Sequence, residues 1–304
     1  MLSLIFSSFT MDGYPHKYIL SDEQRKFYED NGYLVIKGLI DMYTLIKLRN
    51  RFHDICNNTV PRGLVAVVRD KELVDKQLKP EDYVNKLNFC NFDPVFSEYI
   101  DHPRLVHVVS QIIGDGISVQ NSMMINKPPG SKWHPPHQDA FYLGIQPYDR
   151  LVTSWTAIDP VSADNGCIFV VPGSHKDNIL HKEECLPGFV DQLFFTIPDV
   201  EKVAPMNKRV SVAPLEPGDT IFFNSLLVHG SYPNHSNCYR KAITNIYASD
   251  ECRYFDVKGT PQEAFEKAVN DMLRGLHGSE MGHMDLQDLT KGRARPVHVS
   301  KSSI

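Results

Sequence analysis

The chain has 304 residues, of which 42% are hydrophobic and 23% are charged, and its formal net charge is −5. A chain of this length and balance can bury a core around an internal site, which excludes the disordered, collagen-like and disulfide-scaffold classes. Lysines and arginines form no basic stripe, so we expect no nucleic-acid partner. No apolar run of about eighteen residues predicts a membrane span. The six cysteines include no CxxC pair, which favours reduced thiols.

The first predicted elements along the chain are helices. Residues 1–18 begin with an apolar run that lacks the basic region and clear cleavage site of a secretion signal, and we expect a poorly ordered extension there. A capping box at Ser21 opens a short helix. A second helix is expected after Asp41 and a third before Gly114, because apolar residues recur at helical spacing in both segments. We therefore predict a helical cover over residues 21–115.

Short β-rich runs separated by turns follow over residues 118–249. The runs are 118–125, 151–158, 167–171, 210–215, 220–223, 226–229 and 242–248. Strands that follow helices, without an alternating βαβ pattern, predict an antiparallel sandwich or jelly roll flanked by helices. A last helix is expected over residues 261–273. Residues 19–297 are thus interpreted as one domain, with a tail at 298–304.

Histidines close to carboxylates carry the candidate chemistry. Alternate residues of a strand share a face, so a His-x-Asp triplet can present two metal ligands together. Four His-x-acid triplets occur, at residues 137–139, 175–177, 181–183 and 283–285, and the triplet alone is therefore a weak signal. The middle two lie in a polar, loop-like stretch, and the last lies near the C-terminus. His137-Gln-Asp139 lies between predicted strands, and His229 closes a later strand, as a two-histidine, one-carboxylate iron site requires.

Arg240 completes this constellation. It lies eleven residues after His229, across a turn-rich segment that can reverse the chain. A guanidinium offers a planar fork to a carboxylate, such as the distal carboxylate of the co-substrate 2-oxoglutarate. Without a metal, Asp139 would be a turn acceptor, His229 a core or surface histidine, and Arg240 a solvated cation on an edge strand. Both interpretations stay open on these residues alone.

Several segments resemble the phytanoyl-CoA dioxygenase family, over roughly residues 19–297. Among them are Met124-Ile-Asn-Lys-Pro-Pro129, His134-Pro-Pro-His-Gln-Asp139, Asp164-Asn-Gly-Cys167, Gly218-Asp-Thr-Ile-Phe-Phe223, Leu226-Leu-Val-His-Gly-Ser231 and Tyr239-Arg-Lys-Ala-Ile243. Each segment is short, but their joint order and spacing make the match specific. The resemblance implies a mainly β fold with flanking helices, whose core is the double-stranded β-helix (jelly roll) of Fe(II)/2-oxoglutarate oxygenases.

Carried over position by position, the resemblance implies roles for nine residues. His137, Asp139 and His229 would bind Fe(II) and form the catalytic centre. The positions that match the co-substrate pocket are Arg240, Ser231, Trp155, Met123, Lys86 and Gln138. Of these, Arg240 and Ser231 would hold the distal carboxylate of 2-oxoglutarate. Gln138 lies between two ligands, and we expect its side chain to point the other way.

The implied reaction is hydroxylation of carbon 2 of a 3-methyl-branched acyl-CoA such as phytanoyl-CoA. It would consume O2 and 2-oxoglutarate, form 2-hydroxyacyl-CoA, succinate and CO2, and be supported by ascorbate. This is a step of fatty-acid α-oxidation, which implies a peroxisomal location; the residues contain no readable targeting signal, and the cytoplasm is the alternative. Residues 127–133 offer two lysines and a tryptophan as candidate CoA contacts, a composition that a solvated loop shares. Nothing in the sequence indicates the oligomeric state.

Three alternative functions differ in class. A related oxygenase acting on a small molecule other than an acyl-CoA would keep every metal and co-substrate residue. A catalytically silent jelly-roll module would bind a partner or an acyl chain and would have no need of the complete ligand set. A zinc hydrolase would leave Arg240 without a role, and the sequence contains no HExxH motif.

Overall fold

The computed structural model describes residues 17–70, 78–185, 193–277 and 282–297, so most of the expected N-terminal extension and the whole expected tail lie outside the described residues. The α-helices are α1 (Asp22–Asn31), α2 (Met42–Cys56), α3 (Pro80–Tyr83), α4 (Pro94–Ile100), α5 (Pro103–Ile113), α6 (Val200–Val203), α7 (Glu263–His277) and α8 (Leu286–Arg293). Among these described helices, none is both long enough and apolar enough to cross a bilayer.

Strands make up most of the remaining regular structure. They are β1 (Tyr33–Ile36), β2 (Ala66–Arg69), β3 (Val84–Asn88), β4 (Ile117–Lys127), β5 (His134–His137), β6 (Ile145–Gln146), β7 (Leu151–Ala157), β8 (Ile168–Val170), β9 (Glu184–Cys185), β10 (Phe195–Thr196), β11 (Val210–Ser211), β12 (Thr220–Asn224), β13 (His229–Ser231), β14 (Arg240–Ser249), β15 (Arg253–Tyr254) and β16 (Arg295–Val297).

Two antiparallel sheets organise the fold. The major sheet has the order β1-β12-β7-β14-β4-β3-β2, with β16 also paired to β4, and the minor sheet has the order β11-β8-β13-β5. One apolar cluster joins them, with Trp155, Ile221 and Phe223 from the major sheet and Ile168 and Val170 from the minor sheet. The predicted antiparallel sandwich with flanking helices is therefore confirmed.

Helices cover the outer face of the major sheet. Val152, Phe222 and Ile243 point to that face, where they share one core with the apolar stripes of α2, α4 and α5. The adjacent residues Ile221, Phe223 and Ala242 belong instead to the cluster between the sheets. The central strands are buried at every position, so their burial shows no alternation, and β7 includes three polar residues among its apolar ones.

The first helix of the helical cover begins where the sequence predicts it. The Ser21 side chain accepts from the backbone N–H of Gln24 at 3.2 Å, and the Gln24 side chain returns a bond to Ser21, as a capping box requires. Gly32 ends α1 with a φ of 78°, a left-handed conformation that glycine adopts without strain.

Besides β1, two strands inside the predicted helical cover, β2 and β3, are the main departure from the sequence interpretation. β2 and β3 pair with each other, and β3 extends the major sheet beyond β4. Both are short and only partly buried, so no period-two pattern marked them. This pairing places Lys86 opposite Ile125 of β4, on the sheet that carries the site. The last predicted helix also differs, because α7 covers Glu263–His277.

Candidate active site

The inner face of the major sheet collects the residues expected to line the co-substrate pocket. Cross-strand pairing sets Met123 opposite Thr244, and Thr244 opposite Trp155. Arg240 and Thr244 are both even-numbered positions of β14 and share a face, and Lys86 pairs with β4 two residues beyond Met123. Residues that lie opposite each other in antiparallel strands project to the same side. The register therefore brings four of the expected pocket residues to one surface.

Three metal-ligating side chains meet between the sheets. His137 ends β5, Asp139 opens a short 3-10 helix over Asp139–Tyr142, and His229 begins β13. His137 and His229 are cross-strand partners with ring centroids 4.3 Å apart. Asp139 Oδ1 lies 3.7 Å from Nε2 of His137 and 3.8 Å from Nε2 of His229. The ligand atoms of all three buried residues lie within 4.8 Å of one another.

Hydrogen bonds behind the triad orient these atoms. Nδ1 of His137 lies 2.9 Å from the carbonyl oxygen of Pro135, and Nδ1 of His229 lies 2.9 Å from that of Leu227. Because a carbonyl can only accept, each Nδ1 carries a proton, and the neutral form of each ring has its lone pair on Nε2. Thr153 Oγ1 donates to Asp139 Oδ2 at 2.6 Å, which directs Oδ1 toward the histidines. Two nitrogen donors and one oxygen donor thus converge on one point.

The surroundings keep His137 uncharged. Burial lowers its pKa well below the ordinary value, because a protonated imidazole would lose its hydration, and the neighbouring His229 lowers it further. The ligand nitrogen is therefore available without the loss of a proton. Such a set of two imidazoles and a carboxylate suits a divalent iron ion.

Arg240 carries unpaired donors inside the barrel. It is only 1% exposed, and its Nε and Nη1 atoms have no hydrogen-bond partner among the described residues. Its Cζ lies 5.3 Å from the centroid of the Trp155 ring, a contact that leaves the in-plane N–H groups unused. Burial lowers the pKa of Arg240 to about 10, so the guanidinium stays charged at neutral pH. A buried cation with orphaned donors fits an anionic ligand such as a carboxylate.

Ser231 lies on the same strand as the metal-ligand candidate His229. It is buried on β13, two residues after His229, and alternate strand residues share a face. Its cross-strand partners are His134 of β5 and Ile168 of β8. The serine hydroxyl can therefore serve the same pocket as the metal ligand that precedes it.

Lys86 approaches the triad through aromatic contacts. Its Nζ lies 5.3 Å from the ring centroid of Phe194, and burial lowers its pKa to about 8. The Phe194 ring lies 5.1 Å from the ring of His134, which in turn lies 4.5 Å from that of His137. Sequence reasoning missed Phe194, which lies outside the predicted strands and belongs to no motif.

Gln138 braces a neighbouring loop. Its Nε2 donates to the carbonyl oxygens of Ile179 at 3.0 Å and Leu226 at 2.7 Å, and its Oε1 accepts from the backbone N–H of His181 at 2.8 Å. Its own backbone N–H donates to the buried carboxyl of Glu183 at 2.7 Å. These partners occupy the side-chain amide, so the structure favours a brace over the co-substrate contact that the resemblance implied.

The other His-x-acid triplets have different environments. His181 and Glu183 hold Gln138, as described above, although their stretch was expected to be loosely held. Burial raises the pKa of Glu183 well above the ordinary carboxyl value. His283 and Asp285 form a second cluster with Glu266, in which His283 Nε2 lies 3.3 Å from Glu266 Oε1 and 3.4 Å from Asp285 Oδ1. The His283 side chain is 53% exposed, whereas that of Glu266 is 11% exposed, so this cluster lies at the protein surface and the triad lies inside the barrel.

Besides Phe194, two residues lie at the site that the sequence interpretation did not place there. Thr153 carried no motif, although its alternation with Trp155 on β7 could have placed it on the inner face. Lys127 was expected in a solvent-facing loop as a CoA contact, but it is 7% exposed and lies opposite Arg240. Lys127 is buried because β4 continues to this residue, and the pleat of the strand turns the lysine side chain inward.

Comparison with known proteins agrees with this geometry. The profile of the family described as phytanoyl-CoA dioxygenase (PhyH) matches residues 28–242. The chain belongs to the phytanoyl-CoA dioxygenase family. It is 38% identical over 293 residues to the human protein named phytanoyl-CoA dioxygenase, peroxisomal, covering 94% of this chain and 85% of that one. It is 36% identical over 304 residues to a probable phytanoyl-CoA dioxygenase of Caenorhabditis elegans, covering 94% of this chain and 96% of that one.

Solved structures of more distant proteins share the fold. The apo form of EctD from S. alaskensis superposes with a TM-score of 0.63 at 18% identity, covering 78% of this chain and 80% of that one. The epimerase SnoN, in complex with Fe3+ and alpha ketoglutarate, superposes with a TM-score of 0.58 at 17% identity, covering 86% of this chain and 92% of that one. The expected jelly-roll core of the iron/2-oxoglutarate oxygenase type is therefore confirmed.

Proposed function

We propose that this protein is an Fe(II)- and 2-oxoglutarate-dependent dioxygenase that hydroxylates carbon 2 of 3-methyl-branched acyl-CoA. The observation that carries the proposal is the buried convergence of His137, Asp139 and His229 between the sheets, together with the two unpaired guanidinium nitrogens of Arg240 on the inner face of the major sheet. A metal site alone would suit many functions. A metal site with a buried anion receptor at its side is what a reaction with an oxo-acid co-substrate requires.

The residues present fit the iron and its co-substrate. The triad would hold Fe(II) through Nε2, Nε2 and Oδ1, and Arg240 with Ser231 would hold the distal carboxylate of 2-oxoglutarate. Met123, Trp155 and Lys86 would line the same pocket. When bound, iron and 2-oxoglutarate supply the oxidising chemistry, in which O2 is reduced, 2-oxoglutarate is decarboxylated to succinate, and one oxygen atom enters the substrate.

The chain itself contributes orientation and the exclusion of water. Phe223 lies with its ring centroid 4.5 Å from that of His229, and Tyr142 lies 6.1 Å from His137. These rings, with Phe194 against His134, shield the triad with apolar surface. A dry, shaped wall of this kind holds one carbon of a substrate next to the reacting centre, and position then selects the carbon that reacts.

The acyl-CoA substrate is supported by the names of the relatives, several of which are peroxisomal phytanoyl-CoA dioxygenases covering most of this chain. We place the protein in the peroxisome and in fatty-acid α-oxidation on the same ground. With Lys127 turned inward, the candidate CoA contacts of residues 127–133 reduce to Lys132 and Trp133. Trp133 is 44% exposed and could stack on an adenine ring.

A second candidate is an oxygenase that acts on a small molecule without CoA. The structural neighbours favour it, because SnoK and SnoN are described as a carbocyclase and an epimerase of nogalamycin biosynthesis. Such an enzyme would keep the triad and Arg240 unchanged. It would differ from the first candidate only in the residues around the substrate.

Succinate formation tests both candidates. Purified protein is incubated with Fe(II), ascorbate and 2-oxoglutarate, with and without phytanoyl-CoA, and the acyl-CoA is analysed by mass spectrometry. We expect succinate in equal amount to an acyl-CoA that has gained one oxygen atom. Slow succinate release that phytanoyl-CoA does not stimulate would favour the second candidate. Failure to form any succinate would contradict both and favour a silent binding module.

A further inference from the structure

Lys127 is a buried basic side chain that the proposed reaction does not yet use. The side chain is 7% exposed, and its ammonium group donates to the backbone carbonyl oxygen of Tyr232. Tyr232 directly follows Ser231, which is one of the two proposed contacts of the distal carboxylate. The ammonium group therefore lies beside the segment that carries this serine.

The register places the same lysine against the other proposed contact. Lys127 of β4 and Arg240 of β14 are direct cross-strand partners, and both side chains are buried on the inner face. Like charges directly opposite each other in a sheet repel, and burial removes the water that would screen them. Among the described residues, neither cation forms an ion pair with a carboxylate. Asp159, the nearest acid acting on Arg240, is bound to Arg49 and Lys241.

An anion bound between the two side chains would favour the charged form of both. The Arg240 donors Nε and Nη1 are unpaired, and the lysine has only a neutral carbonyl as partner. The aliphatic part of the lysine side chain also packs closely against Gly166. A Cβ added to this glycine would lie only 2.7 Å from Lys127 Cδ. A packed stem holds the ammonium group in one place, which favours specific recognition over a loose surface charge.

We propose that Lys127 is a second cationic contact for the distal carboxylate of 2-oxoglutarate, acting together with Arg240. The inference rests on the proposed co-substrate pocket and adds a specificity-determining residue to it. A dicarboxylic oxo acid satisfies both cations at once. An oxo acid without the distal carboxylate leaves them facing each other, so the pair selects for the dicarboxylic co-substrate.

The test measures binding and does not depend on turnover. Calorimetry under anaerobic conditions gives the Kd of 2-oxoglutarate, and of 2-oxopentanoate, which has the same chain length but lacks the distal carboxylate, for the Fe(II)-loaded protein. In Lys127→Met we expect the Kd of 2-oxoglutarate to rise roughly ten- to a hundredfold, as for the loss of one hydrogen bond to a charged group. The Kd of 2-oxopentanoate should stay unchanged.

The controls distinguish an error in the role of Lys127 from an error in the proposed co-substrate pocket. Lys267→Met removes an exposed lysine of α7 and should leave both Kd values as in the wild type. If Lys127→Met weakens both oxo acids equally, or neither, the role of Lys127 is refuted. If Arg240→Gln also leaves the 2-oxoglutarate Kd unchanged, the pocket itself is wrongly placed. Lys127→Gln, which keeps a polar group for the Tyr232 carbonyl, repeats the measurement if the methionine variant does not fold.

Discussion

Two clusters in this protein combine a His-x-Asp triplet with a third residue from elsewhere in the fold. In the barrel, His137 and Asp139 meet His229; on the surface of α7 and α8, His283 and Asp285 meet Glu266. Both bring their ligand atoms within 4.8 Å of one another. The spacing in sequence and the distances in space are thus nearly the same in the two clusters.

Their chemistry differs because their surroundings differ. In the barrel cluster each imidazole donates Nδ1–H to a backbone carbonyl, so that both Nε2 lone pairs face the carboxylate oxygen. In the surface cluster one half-exposed imidazole faces two carboxylates, at 3.3 Å and 3.4 Å from its Nε2 atom. Burial and the bonds from both imidazoles to backbone carbonyls distinguish the barrel cluster, and the His-x-Asp motif alone does not supply them.

The largest expected difference between the clusters concerns the carboxylates. Asp139→Ala removes one of three ligands, and we expect hydroxylation to fall by about a thousandfold or more, since a bound metal contributes several kcal/mol to the reaction. Asp285→Ala should leave turnover as in the wild type. Product formation by mass spectrometry measures both variants. Turnover close to wild type in Asp139→Ala, with iron present, would show that the ligand assignment is wrong.

The arginines give the next largest effect. Arg240→Gln removes a charged fork, and we expect the concentration of 2-oxoglutarate needed for half-maximal turnover to rise roughly a hundredfold, as for two lost charge-assisted bonds. Arg274→Gln, on α7 beside the surface cluster, is the matched control and should change nothing. Succinate formation against 2-oxoglutarate concentration checks the prediction. An unchanged requirement would remove Arg240 from the pocket.

One threonine forms a buried hydrogen bond in each of the two regions, and replacing each of them extends the comparison between the barrel cluster and the surface cluster. Thr153→Val deletes the bond to Asp139 Oδ2, and we expect metal affinity to fall about ten- to a hundredfold, because partners of ligands tune metal binding. Thr290→Val deletes a buried bond to the Leu286 carbonyl in α8 and should reduce stability without affecting metal affinity. Competition with a fluorescent chelator measures the affinity. Equal metal affinity in the two variants would contradict the bracing role of Thr153.

The smallest effect concerns pH and Lys127, which faces Arg240, Cys167 and His134. Burial, reinforced by Arg240, lowers the pKa of Lys127 to about 6, below that of an unfolded lysine. The unfolded chain therefore binds the extra proton above about pH 6, and the free energy of unfolding should rise with pH by at most about 1.4 kcal/mol per unit.

Lys127→Met should lack this contribution to the pH dependence. We expect the ligand-free variant to be more stable than the wild type near pH 6.5, with the gap closing as pH rises, at roughly 2–4 °C of Tm per kcal/mol. Lys267→Met, in the surface region, should keep the wild-type pH profile. Thermal unfolding at several pH values measures all three proteins. Parallel profiles for wild type and Lys127→Met would mean that the buried lysine does not titrate in this range.

Much of the site could be predicted from residue order. The sequence predicts four site residues that lie in or beside predicted strands, His137, Asp139, His229 and Arg240. The structure brings all four to the barrel. Gln138 was expected to point away from the ligands, and its bonds to Ile179, His181 and Leu226 explain how it does so. The roles of these residues in binding iron and 2-oxoglutarate stay proposals.

Local physics explains what the sequence by itself determined about this protein. Three features depend only on residues a few positions apart in the chain: the capping box at Ser21, the apolar stripes of the helices, and the strands separated by turns. They can therefore be predicted from the local sequence. Only the tertiary structure decided that β3 joins β4, that Lys127 faces Arg240, and that Phe194, Thr153 and Glu183 surround the site. Those relations depend on strand register and on loops that meet across the fold, and strands buried on both faces show no alternation from which register could be inferred.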